Sequence, residues 1–343
     1  MNRAELELTA RAMTAPGKGI LAADESSPTI RKRFAAAGID CTDDARRAYR
    51  EMLFTSKALG DLIGGIILFD ETVRQPAADG TPMVEIIEKQ HIVPGIKVDK
   101  GLSPLPGFPG ETVTEGLDGL RDRLAEYRGM GARFAKWRGV IHIGERVPTL
   151  TGILANAQAL ARYAALCQEA GLVPIVEPEV LMDGDHSLAR CEAVTADVLD
   201  AVFGELVSYR VHLEGMVLKP NLVVAGSRAA EQPTPQAVAA ATLRCLRRHV
   251  PVAVPGIAFL SGGQSEQAAT QNLHAVNALS AETGGSPWQL TFSFGRALQA
   301  SALRTWAGDP ANVPAAQKVL LHRARLASLA RQGRYSPVLE ELL

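Results

Sequence analysis

Eight short apolar runs, each closed by glycine, proline or a charge, recur along the chain. They begin at Gly19 (GILAAD), Ile63 (IGGIILFD), Pro94 (PGIKVD), Ala132 (ARFAKWRGVI), Leu172 (LVPIVEPE), Glu214 (EGMVLKPN), Ala253 (AVPGIAFLS) and Trp288 (WQLTFSFG). Successive starts lie between 31 residues (63 to 94) and 44 residues (19 to 63) apart. Unbroken apolar runs of this length read as strands buried on both faces, the signature of a parallel sheet. Amphipathic helical patterns fill the intervals, at 43–59, 116–129, 152–170, 187–208, 235–248 and 265–280. Thr151 and the Thr234–Pro235 pair supply helix-start signals. Strand–helix alternation repeated eight times points to an α/β fold, a single (β/α)8 TIM barrel.

The chain has 343 residues. A barrel needs about 250. A helix at 3–14, insertions, and two C-terminal helices at 296–306 and 313–331 absorb the excess. Two doubly wound domains are the alternative. No Pro/Ser/Gly-rich linker divides the chain, so residues 1–343 are expected to form one domain. The spacing near 40 carries no recurring residue signature, which argues against a solenoid.

Lys plus Arg (36) and Asp plus Glu (37) nearly cancel, which argues against a mainly electrostatic nucleic-acid binder. Four scattered cysteines without a CxxC pair argue against a zinc knuckle or a disulfide framework. The N-terminus lacks the apolar core of a secretory signal. The longest stretch free of Asp, Glu, Lys and Arg, His249–Ser265, is broken by Pro251 and Pro255, so no membrane span is expected. These features predict a soluble, cytoplasmic protein with no nucleic-acid or membrane partner. The seven histidines form no HxH or HExxH spacing, and DGDH at 183–186 lacks the rest of a calcium loop. No metal site is expected. No GxGxxG follows a strand, so a dinucleotide is not expected either.

In a barrel of this kind, chemistry gathers at the C-terminal tips of the strands. Seven of the eight runs carry polar groups there: Asp24; Lys97 and Asp99; Lys136 and Arg138; Glu177 and Glu179; Lys219; Ser261, Gly262 and Gly263; Ser293, Gly295 and Arg296. A lysine ending an apolar strand can simply snorkel to water. Two inward lysines, Lys136 and Lys219, flank the run holding both glutamates. Burial and mutual repulsion are expected to lower both lysine pKa values toward neutrality. A neutral amine can attack a carbonyl, and Glu177 or Glu179 can move the protons. Either glutamate can instead be a structural ion-pair partner, and Asp24 can be a helix cap. FLSGGQS and SFGRALQ end the seventh and eighth runs, the recurrent phosphate position in barrels. Arg31, Lys32 and Arg33 form a second cationic group. With Lys97 and Arg138 near the mouth, they suggest a second phosphate contact, or else a solvated helix face.

The segments LAADES, GIKVDKG, FAKWR, VEPEVLMDGDH, LEGMVLKPN, FLSGGQS and SFGRALQASAL occur in order between about residue 10 and residue 336. Together they resemble the class I fructose-bisphosphate aldolases. The resemblance implies reversible cleavage of fructose 1,6-bisphosphate to dihydroxyacetone phosphate and glyceraldehyde 3-phosphate. It implies a covalent Schiff base, no metal and no other cofactor. In the implied assignment Lys219 is the Schiff-base lysine and Glu177 the principal acid–base group. Asp24, Lys136 and Arg138 complete the centre. Ser261, Gly262, Gly263, Ser293, Gly295 and Arg296 take the 1-phosphate. Arg33 and Lys97, with Ser26, Thr29 and Lys32, meet the 6-phosphate end. A cytosolic homotetramer is implied as well.

Two departures stand out. SPTI follows DES where the family commonly has a Gly-Ser pair, so Pro28 and Thr29 alter that turn. The sequence ends GRYSPVLEELL, whereas many members continue to a terminal tyrosine that aids C3 proton transfer. Another group or water is therefore expected to serve that step, or else enamine protonation is expected to be slower. Other ketose phosphates as substrates, and a catalytically silent barrel used as a scaffold, are the competing readings.

Overall fold

A computed structural model describes residues 2–342. All eight apolar runs form strands: β1 Gly19–Ala23, β2 Ile63–Leu68, β3 Val93–Lys97, β4 Phe134–Ile141, β5 Val173–Val180, β6 Val217–Leu218, β7 Gly256–Phe259 and β8 Gln289–Phe294. They pair in parallel and in sequence order, and β8 closes onto β1. This is the (β/α)8 barrel that the alternation predicts. Most strand residues are buried because helices cover the outside and side chains fill the inside.

The lower half of the barrel is apolar. Phe134 lies over Gly95, and Phe292 over Gly19; a Cβ on either glycine would sit about 2.2–2.3 Å from the ring. The helix Arg3–Met13 plugs this end. Its Leu6, Ala10 and Met13, spaced four and three apart, reach the same cluster as Ile20, Ile67, Val173, Val217 and Ala258. With the bottom sealed by hydrocarbon, the polar strand tips collect at the other end.

Helix boundaries agree with the sequence pattern to within a few residues at 188–208, 235–249, 266–282, 296–306 and 313–331. Thr234 caps its helix through a bond from the Ala237 amide, as expected. Four features differ. The pattern at 116–129 becomes a helix only from Leu120. The pattern at 43–59 stops at Phe54, and a separate turn spans Leu59–Leu62. The helix expected at 152–170 with Thr151 as its cap begins at Leu150, and its cap is Thr149, which accepts from the Gly152 amide at 3.1 Å. The buried Glu111 fixes that start by accepting both the Thr149 amide and its hydroxyl. Glu111 belongs to a Pro- and Gly-rich insertion whose two-stranded ribbon, Leu102–Pro104 with Thr112–Thr114, the sequence pattern does not announce. Among the described residues, no helix is long and apolar enough to cross a membrane.

One buried cation ties both ends of the chain to the barrel floor. Arg331 donates to the carbonyls of Ala15 (2.7 Å), Thr14 and Lys18, and to Gln289 Oε1 (2.8 Å). Burial presses its guanidinium down to about 10. Each hydrogen bond to a charged group contributes about 1.5–3 kcal/mol and orphaned carbonyls add a penalty. Arg331→Met is therefore expected to lower stability by about 3 kcal/mol. A denaturant midpoint equal to the parent's would refute this.

Candidate active site

The strand tips form one charged relay. Asp24 follows β1, and its Oδ2 lies 2.8 Å from Lys136 Nζ on β4. Lys136 Nζ lies 3.3 Å from Glu177 Oε2 on β5, and Glu177 Oε1 lies 3.2 Å from Lys219 Nζ just past β6. The order is Asp24, Lys136, Glu177, Lys219, acid alternating with lysine, all nearly buried. Strand register builds the neighbouring pair. Arg138 stands opposite Glu177 and two residues from Lys136, so both cationic side chains of β4 face inward. Arg138 Nε donates to Glu179. Of the two glutamates, Glu177 thus joins the lysine relay, and Glu179 holds Arg138. Asn221 locks the platform: its Oδ1 accepts the Val180 amide at 3.0 Å, and its Nδ2 donates to Thr195 and Leu222.

The charges follow from this order. Burial alone raises the Asp24 pKa, but Lys136 and Lys219 outweigh it and hold the carboxyl at about 2. Glu177 is likewise kept below the usual carboxylate range, with burial opposed by Lys136, Lys219 and Arg138. The expectation that repulsion and burial lower the pKa of both lysines fails for Lys136. Burial favours its neutral form, yet Asp24 and Glu177 prevail and raise its pKa. Lys136 is a permanent cation because carboxylates lie on both sides of it.

The relay opens into a cleft of about 990 Å³. Ser26, Thr29, Arg33, Lys97, Arg138, Ser261, Gly262, Ser293, Gly295 and Arg296 all line it. Arg296 Nη2 donates to the Gly262 carbonyl at 2.9 Å and so joins the loops after β7 and β8. Among the described residues, the buried Ser293 hydroxyl has no hydrogen-bond partner. Gly262 holds φ at +53°, the left-handed region that glycine enters without strain. These hydroxyls, the Gly295 turn opening the helix Arg296–Trp306, and the Arg296 guanidinium suit a phosphate dianion.

Two expected contacts, Lys32 and Gly263, lie outside the cleft, and two others, Lys97 and Arg33, line it while paired with carboxylates. Lys32 lies on the exposed face of the helix Ser27–Ala36 and does not line the cleft, so it is the solvated part of its charge run. Gly263 is exposed and packs against Met182 rather than lining the cleft. Lys97 Nζ is held by the Asp99 carboxylate (2.5 Å) and carbonyl (2.8 Å). Arg33 is paired with Glu25 and reaches toward β8: its Nη2 lies 3.9 Å from where a Gly295 Cβ would stand. Arg33 and Lys97 thus both line the cleft, each paired with a carboxylate. Ser26 and Thr29 hydroxyls are bonded to each other at 3.2 Å, and Pro28 occupies the first turn of its helix, where proline fits.

Sequence reasoning passed over Asn221 and Glu25, and it placed Asp99 at a strand tip without giving it a role. Each sits within two residues of a residue it did select, which is the only signal the sequence offers for them. Among the described residues, no group of three or more His, Cys, Asp or Glu is placed to hold a metal ion.

The sequence model of the family described as Fructose-bisphosphate aldolase class-I matches residues 5–342. The chain belongs to the class I fructose-bisphosphate aldolases. It is thereby placed among the lyases. A probable class 1 fructose-bisphosphate aldolase of Xanthomonas campestris pv. campestris is 53% identical over 98% of this chain and 99% of its own length. The fructose-bisphosphate aldolase of Drosophila melanogaster is 54% identical over 96% of this chain and 91% of its own. The aldolase of Plasmodium falciparum, solved in complex with TRAP and a small-molecule inhibitor, superposes with a TM-score of 0.95. It shares 51% identity and covers 97% of this chain and 96% of that one.

Proposed function

We propose that this aldolase cleaves fructose 1,6-bisphosphate through a Schiff base on Lys219. The observation that carries the proposal is Glu177, whose two oxygens lie within 3.3 Å of both lysines. Lys219 passes a proton to Glu177 and attacks the C2 ketone as a neutral amine. Glu177 returns the proton to the carbinolamine hydroxyl, which leaves as water, and an iminium remains. Asp24 or Glu177 then removes the C4-hydroxyl proton. The C3–C4 bond breaks, its electron pair flows into the iminium to give an enamine, and glyceraldehyde 3-phosphate departs. Protonation at C3 and hydrolysis release dihydroxyacetone phosphate and regenerate the amine. Lys136, held as a cation by Asp24 and Glu177, stabilises developing negative charge.

Ser261, Gly262, Ser293, Gly295 and Arg296 are proposed to bind the 1-phosphate, with Arg33 reaching the same side of the mouth. Lys97 is proposed to contact substrate as part of its pair with Asp99. The chemistry requires no metal, because the iminium itself is the electron sink. A homotetramer in the cytosol completes the proposal, and light scattering checks the assembly.

Borohydride reduction in the presence of fructose 1,6-bisphosphate, followed by peptide mass mapping, tests the central step. A reduced adduct on Lys219 is the expected result. An adduct confined to another lysine would overturn the mechanism.

A further inference from the structure

One charge cluster takes no part in the proton relay. Glu25, the residue after Asp24, is nearly buried, and its carboxylate is shared by two guanidiniums. Its Oε2 lies 2.5 Å from Arg50, while Oε1 accepts from Arg33 and, at 3.0 Å, from Gln299 Nε2. Gln299 is fixed in turn. Its Nε2 also donates to the Ala22 carbonyl at 2.7 Å, and its Oε1 accepts the Tyr49 hydroxyl at 2.9 Å. The two arginines are not equivalent. The Arg33 side chain is 27% exposed and lines the cleft, whereas that of Arg50 is 4% exposed and does not. Arg50 packs over the Tyr49 ring.

Taking a guanidinium out of water is costly, and a single arginine already neutralises the carboxylate. A pair of Glu25 with Arg33 alone would hold Arg33 firmly. Pulling Arg33 away would then strip a buried carboxylate of its only cation, which is strongly unfavourable. Arg50 removes that penalty, because Glu25 stays paired with Arg50 and bonded to Gln299 when Arg33 lets go. It also leaves the cluster one net positive charge beside the Gly295 loop. We propose that Arg50 is a positioning residue: through Glu25, it makes Arg33 available to a substrate phosphate instead of locking it in a neutral pair. The inference rests on the reading of Arg33 as a phosphate ligand.

Inorganic phosphate, used as a competitive inhibitor, is the probe, with KM and kcat for fructose 1,6-bisphosphate measured alongside. Arg50→Met should raise both the phosphate inhibition constant and KM about tenfold, with kcat changed by less than about threefold. Adding Glu25→Gln to Arg50→Met removes the carboxylate that holds Arg33. Phosphate inhibition should then return to within about threefold of the parent. Loss of phosphate affinity in the double variant as well as in Arg50→Met would show that Arg50 merely supports the fold, and would overturn the proposal. Unchanged inhibition in Arg50→Met would overturn it too. If Arg50→Met does not fold, Glu25→Gln alone decides. Tighter phosphate inhibition supports the proposal, and unchanged or weaker inhibition refutes it. Arg33→Ala separates the two levels of the argument. If it leaves phosphate inhibition unchanged, the reading of Arg33 as a ligand fails. If it weakens inhibition while Arg50→Met does not, only the role of Arg50 fails.

Discussion

Lys219→Met is expected to lower kcat by about 10⁵-fold, because it removes the nucleophile on which every later step depends. Acid–base groups and phosphate contacts act only on a substrate already joined to the protein, so they cannot compensate. Lys219→Arg should be equally inactive, since a guanidinium stays protonated and offers no lone pair for attack. The two variants differ in their use. Methionine approximates the length of the lysine stem and leaves Glu177 to Lys136. Arginine retains the charge, so it separates loss of nucleophile from loss of charge. Phosphate inhibition should persist in both, because Ser261, Ser293, Gly295 and Arg296 stand on other loops of the mouth. Single-turnover assays should show no carbon–carbon cleavage even at saturating substrate. Activity within tenfold of the parent in either variant would remove Lys219 from the mechanism.

The barrel was legible because its signal is local and repeated. An apolar run ending in a charge reveals a buried strand and its functional tip without knowledge of its neighbours. Lys219 and Glu177 belong to this class, as β5 and β6 adjoin both in sequence and in the sheet. The charge state of Lys136 was not legible for a geometric reason. Its partner Asp24 follows β1, which pairs with β2 and β8 and meets β4 only across the barrel interior. A reading along the chain sees two lysines and counts repulsion. Closure of the barrel inserts a carboxylate that reverses the sign. The Glu25 cluster was hidden in the same way, since Tyr49 and Gln299 lie 250 residues apart in sequence. Lys32 and Arg33 are adjacent in sequence yet part company on a helix, one facing solvent and the other the cleft. The ribbon at 102–114 escaped notice because three-residue strands are too short to show a period.

Replacing Lys136 tests whether its positive charge, rather than its presence as a second lysine, is what the site uses. In Lys136→Met, Asp24 loses a cation at 2.8 Å and Glu177 loses one at 3.3 Å. Burial, the largest influence on both carboxyls, is then opposed by Lys219 and Lys97 at Asp24 and by Lys219 and Arg138 at Glu177. Both carboxyl pKa values should rise, and a proton should be retained on the pair at higher pH. The expected cost in kcat is about 10³-fold, from a disordered proton relay and a lost stabiliser of developing charge. Stability at neutral pH should fall by about 3–5 kcal/mol, because a buried ion network loses its central member. The sign of the pH effect follows from the depressed carboxyls. In the parent, Asp24 contributes stability above the unfolded carboxyl pKa of about 4, and that contribution disappears as pH falls toward about 2. In the variant this acid-sensitive contribution should shrink, while the acid limb of kcat/KM moves upward toward neutral pH. Lys136→Arg is the control: it keeps the charge and should keep the acid limb low even where its larger head slows turnover. An acid limb unmoved in Lys136→Met would show that Asp24 and Glu177 are held ionised by something other than this lysine, and the charge order of the relay would have to be redrawn.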